Sequence, residues 1–453
     1  MLMYRRWTAI LTILGLMQLL PASAEEEWPQ AIFPLHVSAD KRYLADAAEK
    51  PFLIQGDAAW SLIAELKQDE AEAYLDDRRR RGYNTLLVNL IEHQFSSNPP
   101  ANAYGDRPFE GGAFTGMNDR YFDHAAWVLG QARDKGFLVL LTPAYLGANG
   151  GGQGWYLEAE AAGQEKLRRY GRYIAKRFAG LDNIAWVHGG DYDAPDKMLV
   201  RAIVSGIEDV SPDALHTVHS RRDTVTADYW AGEEWLALDT LYTYGDVHRA
   251  VLERTARPRT MPVLMIEALY EGEHGTGAQT VRRQAYGALL GGVAGQISGN
   301  HPIWHFSGPG IAPDPMSWRK ALDSPGARSM THMRRLFESL DWWKLVPDRN
   351  GDLHRSNGND PQSMAAIASD RSLALVYGDR PDGFIVNTAI FGPGRVDARW
   401  YDPTSGQFTT ALAESETGEN HFAPPHPRNA SGDTDWILVL RGSRRHPLTE
   451  AGG

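Results

Sequence analysis

The 453-residue chain contains no cysteine. That excludes disulfides, thiol nucleophiles, cysteine zinc sites and iron–sulfur ligation together. Positive charge is also in short supply, with 46 Lys and Arg against 57 Asp and Glu and a formal charge of −11. Neutralising phosphates requires clustered Lys and Arg, so no nucleic-acid partner is expected. Long apolar runs are missing apart from Trp7 to Leu20, whose 14 residues fall short of the roughly 20 needed to cross a bilayer. No His-x-His pair occurs, and His216 and His219, three apart, fall on opposite faces of a strand. His301 and His305 share a face only in a segment broken by Gly299 and Pro302. A Gly-x-Ser-x-Gly nucleophile elbow is absent, and the glycine-rich stretch Leu146 to Trp155 lacks the Lys-Ser/Thr pair of a phosphate loop. Neither a metal nor a cofactor is expected.

What the chain has is an ordinary supply of core residues, 43% apolar against 23% charged, with an aromatic surplus of 14 Trp, 18 Tyr and 14 Phe beside 45 Gly. At its N-terminus, Arg5 and Arg6 precede the apolar stretch, and Ala22-Ser23-Ala24 offers small residues before Glu25-Glu26-Glu27. This is the pattern of a cleaved secretory signal peptide over residues 1–24, the alternative being an uncleaved anchor. Loss of its two arginines deepens the charge from −11 to −13. The expectation is a secreted or periplasmic protein of a bacterial envelope, free of the membrane after cleavage. The oligomeric state is not legible.

From Pro51 onward, short apolar runs alternate with helical patterns. Thr85 to Ile91 and Phe137 to Leu141 are continuous apolar runs, as in strands buried on both faces. Tyr121, Phe122, Ala125, Val128, Leu129 and Ala132 recur at helical spacing before Gly136. The alternation continues through Ile184 to Val187, His216 to His219, Leu238 to Tyr244, Pro262 to Ile266 and Gly295 to Ser298. Eight such units over residues 25–346 predict a (β/α)8 barrel. A doubly wound sheet would want a glycine-rich phosphate turn after its first strand, where this chain has Gly56-Asp57-Ala58-Ala59-Trp60. Beyond Pro347 helical periodicity stops, and β-type runs separated by Gly, Pro, Asn and Asp predict a small all-β sandwich over residues 347–453.

Catalytic groups of a barrel sit at the carboxyl ends of its strands. Polar and aromatic residues at those positions are Asp57 and Trp60; Asn89 and Gln94; Tyr145; His188 and Asp191; His219; Tyr244; Glu267, Tyr270 and Glu271; and His301, Trp304 and His305. Carboxylates end strands four and seven, which face each other across the barrel. Sugars stack their CH faces on aromatic rings and need fixed hydrogen-bonding groups for their hydroxyls. Glycosidic cleavage requires one carboxyl to protonate the leaving oxygen and a second to act as nucleophile or base. Asp191 and Glu267 are therefore the candidate catalytic pair, and the remaining residues are candidate contacts for a carbohydrate.

Several longer stretches carry a resemblance. They include Gly56-Asp57-Ala58-Ala59-Trp60, Arg81-Gly82-Tyr83-Asn84, Asn183-Ile184-Ala185-Trp186-Val187-His188-Gly189-Gly190-Asp191, Ile303-Trp304-His305-Phe306 and the tail Ala398-Arg399-Trp400-Tyr401-Asp402-Pro403. On these the chain resembles the apiosidase-like glycoside hydrolases, bacterial barrels followed by a collagen-binding-type β-domain. The resemblance implies a retaining glycosidase acting on plant cell-wall glycans, with apiose-containing pectin side chains as reference substrate. It also implies Asp191 as acid/base and Glu267 as nucleophile. Where the family reads Gly-Glu-Pro, this chain has Ile266-Glu267-Ala268, a change that bears on the sugar pocket more than on the reaction. Nothing in the tail's residues indicates a collagen groove. Two other readings stay open: a non-catalytic carbohydrate-binding barrel, and a uronide lyase with Arg221-Arg222 as its basic subsite.

Overall fold

A strand apolar on both faces needs cover on both, which a helix-wrapped barrel supplies. The computed structural model describes residues 28–258, 260–311, 313–354, 363–412 and 418–442, so the signal-peptide segment lies outside the described residues. Eight strands run through the first part of the chain: β1 (Ile54–Ala58), β2 (Thr85–Asn89), β3 (Leu138–Thr142), β4 (Ile184–Gly189), β5 (Leu215–His219), β6 (Asp239–Tyr242), β7 (Val263–Glu267) and β8 (Gly295–Ser298). All neighbouring pairs are parallel in the order β5-β4-β3-β2-β1-β8-β7-β6. Between β5 and β6 the ring closes by a single parallel bridge, His216 to Leu236, and the Ala237 N–H bond to the His216 carbonyl at 2.9 Å. The expected (β/α)8 barrel is therefore the fold.

Side-chain direction alternates along each strand and sets two cores. Ile54, Ala58, Leu87, Leu138, Leu140, Val187, Leu264 and Ile297 fill the barrel interior. Leu86, Val88, Val139, Leu141, Trp186, Val218 and Met265 point outward into the layer under the helices. Helix Asp119–Asp134 buries the stripe Tyr121, Phe122, Ala125, Val128 and Leu129 there, and the Asn118 side chain accepts from the Arg120 N–H at its start. Helix Tyr156–Arg177 packs on helix Lys197–Glu208 through Gly171 and Gly206, where an added Cβ would meet backbone at 2.4 and 2.2 Å. A three-strand antiparallel cap of His36–Val37, Leu44–Ala45 and Pro51–Phe52 precedes β1.

After the barrel come β9 (Leu345–Pro347), β10 (Ser363–Ala368), β11 (Leu373–Asp379), β12 (Phe384–Asn387), β13 (Val396–Tyr401), β14 (Phe408–Thr410), β15 (Glu419–Phe422) and β16 (Asp435–Gly442). Six form an antiparallel sheet in the order β9-β10-β11-β16-β13-β14, and β12 pairs with β15. Period-2 alternation along β16 explains how one sheet serves two cores. Trp436, Leu438 and Leu440 face the β12–β15 pair, while Ile437 and Val439 join the core under the barrel helices. The Tyr377 ring stacks on Tyr286 of helix Ala278–Leu290 at 4.8 Å.

One ion pair fixes this contact. Arg282, on the same helix, is 1% exposed and donates from Nε and Nη2 to the two oxygens of Asp435 at 2.7 Å each, and from Nη2 to Asp433 at 2.7 Å. Asp435 also accepts from the Tyr377 hydroxyl at 3.0 Å. Removing one partner of a buried pair leaves a charge without compensation. Arg282→Ala is expected to cost about 3–5 kcal/mol in chemical denaturation, whereas Arg282→Met with Asp435→Leu recovers most of that loss.

Candidate active site

Glu267 reaches the barrel interior through a bulge. Leu264 points inward and Met265 outward, so strict alternation would send Ile266 in and Glu267 out. The β6–β7 register shifts between Met265 and Glu267, opposing Met265 to Leu241 and Glu267 to Tyr242 with Ile266 as the extra residue. The bulge turns two successive side chains inward, Ile266 into the interior core and Glu267 into the mouth.

Asp191 arrives by a turn that only glycine can make. Gly189 and Gly190 have φ of 80° and 118°, and Asp191 itself is left-handed at 48°. A Cβ on Gly190 would lie 2.2 Å from the Tyr145 ring. The Gly190 N–H donates to the His219 carbonyl at 2.7 Å, binding the turn to the end of β5.

His219, fully buried, stands between the two carboxylates. Its Nε2 is 3.0 Å from Glu267 Oε2 and its Nδ1 is 3.3 Å from Asp191 Oδ1. One oxygen of each carboxylate and a His219 nitrogen all lie within 4.8 Å of one another. Burial and the charge of Glu267 push the Asp191 carboxyl up to about 7, against the opposing pull of His219. Burial disfavours the His219 cation, yet its hydrogen bond to Glu267 and the two negative charges raise its pKa above the ordinary histidine value. The Tyr244 hydroxyl stands 3.4 Å from Glu267 Oε1.

Around the pair lies a pocket walled by Trp60, Phe95, Tyr145, Tyr244, Tyr270 and Trp304, aromatic walls with a few convergent polar groups being usual for small-molecule sites. Trp60 donates to the Tyr270 hydroxyl at 3.1 Å and stands edge-on to Tyr145 at 5.7 Å. Asn89 donates from Nδ2 to Glu92 at 3.0 Å, while its buried Oδ1 has no partner in the protein. Its amide is thus held with an open acceptor at the pocket wall.

Of the predicted contacts, Trp60, Asn89, Tyr145, Tyr244, Tyr270 and Trp304 line the pocket with Asp191 and Glu267, and His219 lies beneath the pair. The others do not belong to its lining. Asp57 falls between inward Gly56 and Ala58, so it points outward, where it accepts from Tyr74 at 2.8 Å and faces Arg78 at 3.3 Å. His188 follows inward Val187 and likewise points outward, paired with His216 at 2.9 Å under Trp235. Glu271 binds the start of helix Pro325–Glu338, accepting from Ser324 Oγ at 2.6 Å and the Gly326 N–H at 2.8 Å. Gln94 is exposed, its N–H bonded to Glu92. His301 and His305 are buried beside Trp304. Phe95, Gln153, Glu273 and Ile311 also line the pocket and are not among the residues expected from the sequence. Glu273 accepts from Trp304 Nε1 at 2.8 Å; it lies on an irregular loop, where strand-end counting gives no signal.

The fold is that of solved glycoside hydrolases. A glycoside hydrolase family 5 protein from Bacteroides vulgatus ATCC 8482 superposes with a TM-score of 0.80 at 24% identity, over 94% of this chain and 97% of its own. A second protein, described as a glycoside hydrolase, gives 0.77 at 24% identity, over 91% and 97%. At this identity the likeness establishes the architecture. The family model "Apiosidase-like, catalytic domain" matches residues 38–344, and "Putative collagen-binding domain of a collagenase" matches residues 346–441. The chain belongs to the apiosidase-like family. No curated protein matches it. Among the described residues no helix is long and apolar enough to cross a membrane.

Two outcomes are expected from this geometry. In Gly190→Ala the Cβ displaces Tyr145 or Asp191, and a shift of about 1 Å at a reacting group costs about 100-fold in rate, measurable as kcat/KM on any glycoside the wild type cleaves. The second concerns stability. The folded state raises the pKa of Asp191 from its ordinary 3.8 to about 7, so stability from its proton is complete below about pH 4 and lost as pH rises toward 7. Asp191→Asn, which cannot ionise, should melt several degrees above the wild type at pH 8, the difference shrinking toward pH 4 in thermal denaturation.

Proposed function

We propose that the protein is a retaining glycosidase with Glu267 as nucleophile and Asp191 as acid/base. The observation that carries this reading is that one oxygen of Asp191 and one of Glu267 lie within 4.8 Å of each other, on opposed strand ends of an aromatic-walled pocket. Retaining enzymes hold their carboxyl groups about 5–5.5 Å apart, whereas inversion needs about 6.5–9.5 Å to admit a water. Glu267 attacks the anomeric carbon as Asp191 gives its proton to the leaving oxygen. Once the glycosyl ester forms, Glu267 is neutral and no longer raises the Asp191 pKa, so Asp191 takes a proton from the incoming water. Asn89 Oδ1 accepts from a sugar hydroxyl, and Trp60 and Trp304 offer stacking faces.

The substrate class we infer is a plant cell-wall glycan, in keeping with the apiosidase-like family, acted on after export by the N-terminal leader. A lyase of uronides would want a basic subsite. The pocket lining contains Asp191, Glu267 and Glu273 and neither arginine nor lysine, which favours a neutral sugar at the point of cleavage. Arg222, the nearest cation of the lyase reading, stacks over Tyr244 at 4.8 Å, outside that lining.

The test is a screen of cell-wall glycans for released sugar, followed by NMR of the first anomer formed. Retention of configuration is expected, and Glu267→Gln should lower kcat by at least about 1,000-fold with folding intact, a loss of about 4 kcal/mol in transition-state stabilisation. Inversion would overturn the nucleophile, and sugar binding without turnover would favour a non-catalytic barrel. The pH profile follows from the acid: kcat/KM should fall above about pH 7 as free-enzyme Asp191 loses its proton.

A further inference from the structure

Past the end of β7 stands a third carboxylate, outside the Asp191–Glu267 pair. The Glu273 side chain is 5% exposed and lines the pocket with the other two. Its backbone is fixed on both sides. The Glu273 N–H donates to the Tyr270 carbonyl at 3.1 Å, and the Glu273 carbonyl accepts from the Thr276 N–H at 2.7 Å. This turn is tied to the end of β8: the Glu271 N–H donates to the Gly299 carbonyl at 3.0 Å, and the His301 N–H to the Glu271 carbonyl at 2.8 Å.

The carboxylate is held by one oxygen only. Oε1 accepts from Trp304 Nε1 at 2.8 Å and lies 3.4 Å from His301 Nδ1. Among the described residues Oε2 has no hydrogen-bond partner, and neither Lys nor Arg pairs with the group. Each oxygen of an ionised carboxylate offers about two acceptor positions, and both on Oε2 are open. Burying such a group is costly unless hydrogen bonds compensate. Burial raises the Glu273 pKa, and the Trp304 N–H draws it back. The group gains from a further donor, which the protein itself does not supply.

Trp304 joins this acceptor to the sugar surface. Its Nε1 edge fixes Glu273 while its ring forms part of the pocket wall, edge-on to Phe95 at 5.1 Å. A sugar lying on that ring carries its hydroxyl donors around an apolar face, and so brings them to the carboxylate at the indole edge. Resting on the glycosidase reading above, we propose that Glu273 binds the sugar at the point of cleavage, its Oε2 accepting from a hydroxyl. The site is then specific for neutral glycosides whose hydroxyl at this edge is free. An O-acyl or O-methyl group has no proton to donate, and a uronate carboxylate there would meet a like charge.

The test compares the wild type with Glu273→Gln on the glycoside that the wild type turns over or, failing turnover, binds, and on its mono-deoxy analogues. Glutamine keeps the shape, and its carbonyl can still accept from Trp304, but an NH2 group replaces the Oε2 acceptor. For the parent glycoside kcat/KM should fall about 10- to 100-fold, as for loss of a hydrogen bond to a charged group. On the one analogue that lacks the bound hydroxyl the two proteins should agree within about threefold, while on the others the fall persists. Glu273→Ala is a second variant read in the same way. An equal fall on every analogue would reduce Glu273 to a support for Trp304, and no fall would remove it from the site; either overturns the proposal. Calorimetric titration of Glu267→Gln, with and without Glu273→Gln, makes the same comparison on binding alone. If the wild type binds sugars without cleaving them, the retaining reading fails, and the calorimetry still decides the role of Glu273.

Discussion

Two carboxylates a few ångströms apart, one buried and the other half-buried, cannot both be ionised cheaply, and the mouth of this barrel is organised around that constraint. His219 relieves part of it by bridging Asp191 and Glu267 from below. The remainder is relieved by keeping a proton on Asp191 up to about pH 7. The apolar rings that desolvate the pair are also the walls a sugar would stack on, so one set of side chains tunes the acid and shapes the pocket. Three strand ends must meet for this to work: β4 through its glycine turn, β5 through His219 and β7 through its bulge. Closure of the ring puts them within reach of one another.

Much of this architecture is legible in the residues because burial on both faces leaves a plain mark, as in Thr85 to Asn89 and Leu138 to Thr142. The change to an all-β region is equally visible, and β9 starts at Leu345, inside the segment that sequence alone assigns to the barrel. At the site, counting to strand ends finds the carboxylate pair and most of the aromatic wall. It fails where direction matters more than position. Asp57 and His188 sit next to inward-facing residues, so alternation sends both into the outer layer. Applying the period of two to Ile54–Ala58 and Ile184–Gly189 would have excluded them. Glu267 is the converse case, since alternation alone would have sent it outward. The bulge that corrects it comes from pairing with β6, which no local pattern records. Glu271 and Glu273, two residues apart, divide between a helix start and the pocket for reasons set by distant partners.

The β-domain is docked through a face as apolar as the barrel's own helix layer, with the Arg282–Asp435 pair sealed inside it. Such a contact is closer to a shared core than to a hinge. The helix that carries Arg282 begins 11 residues after Glu267 and leads back to β8. The docked domain therefore buttresses the same βα unit that presents the nucleophile candidate.

The bulge at Ile266 has a consequence for how this site tolerates change. What aims Glu267 is the number of residues between Met265 and the mouth, not the identity of those beside it. Changes at Ile266 or Ala268 would then repack the interior and the pocket wall while the direction of the carboxylate stays with the bulge. Length is the invariant. Loss of one residue here would remove the bulge and return Glu267 to the outer face.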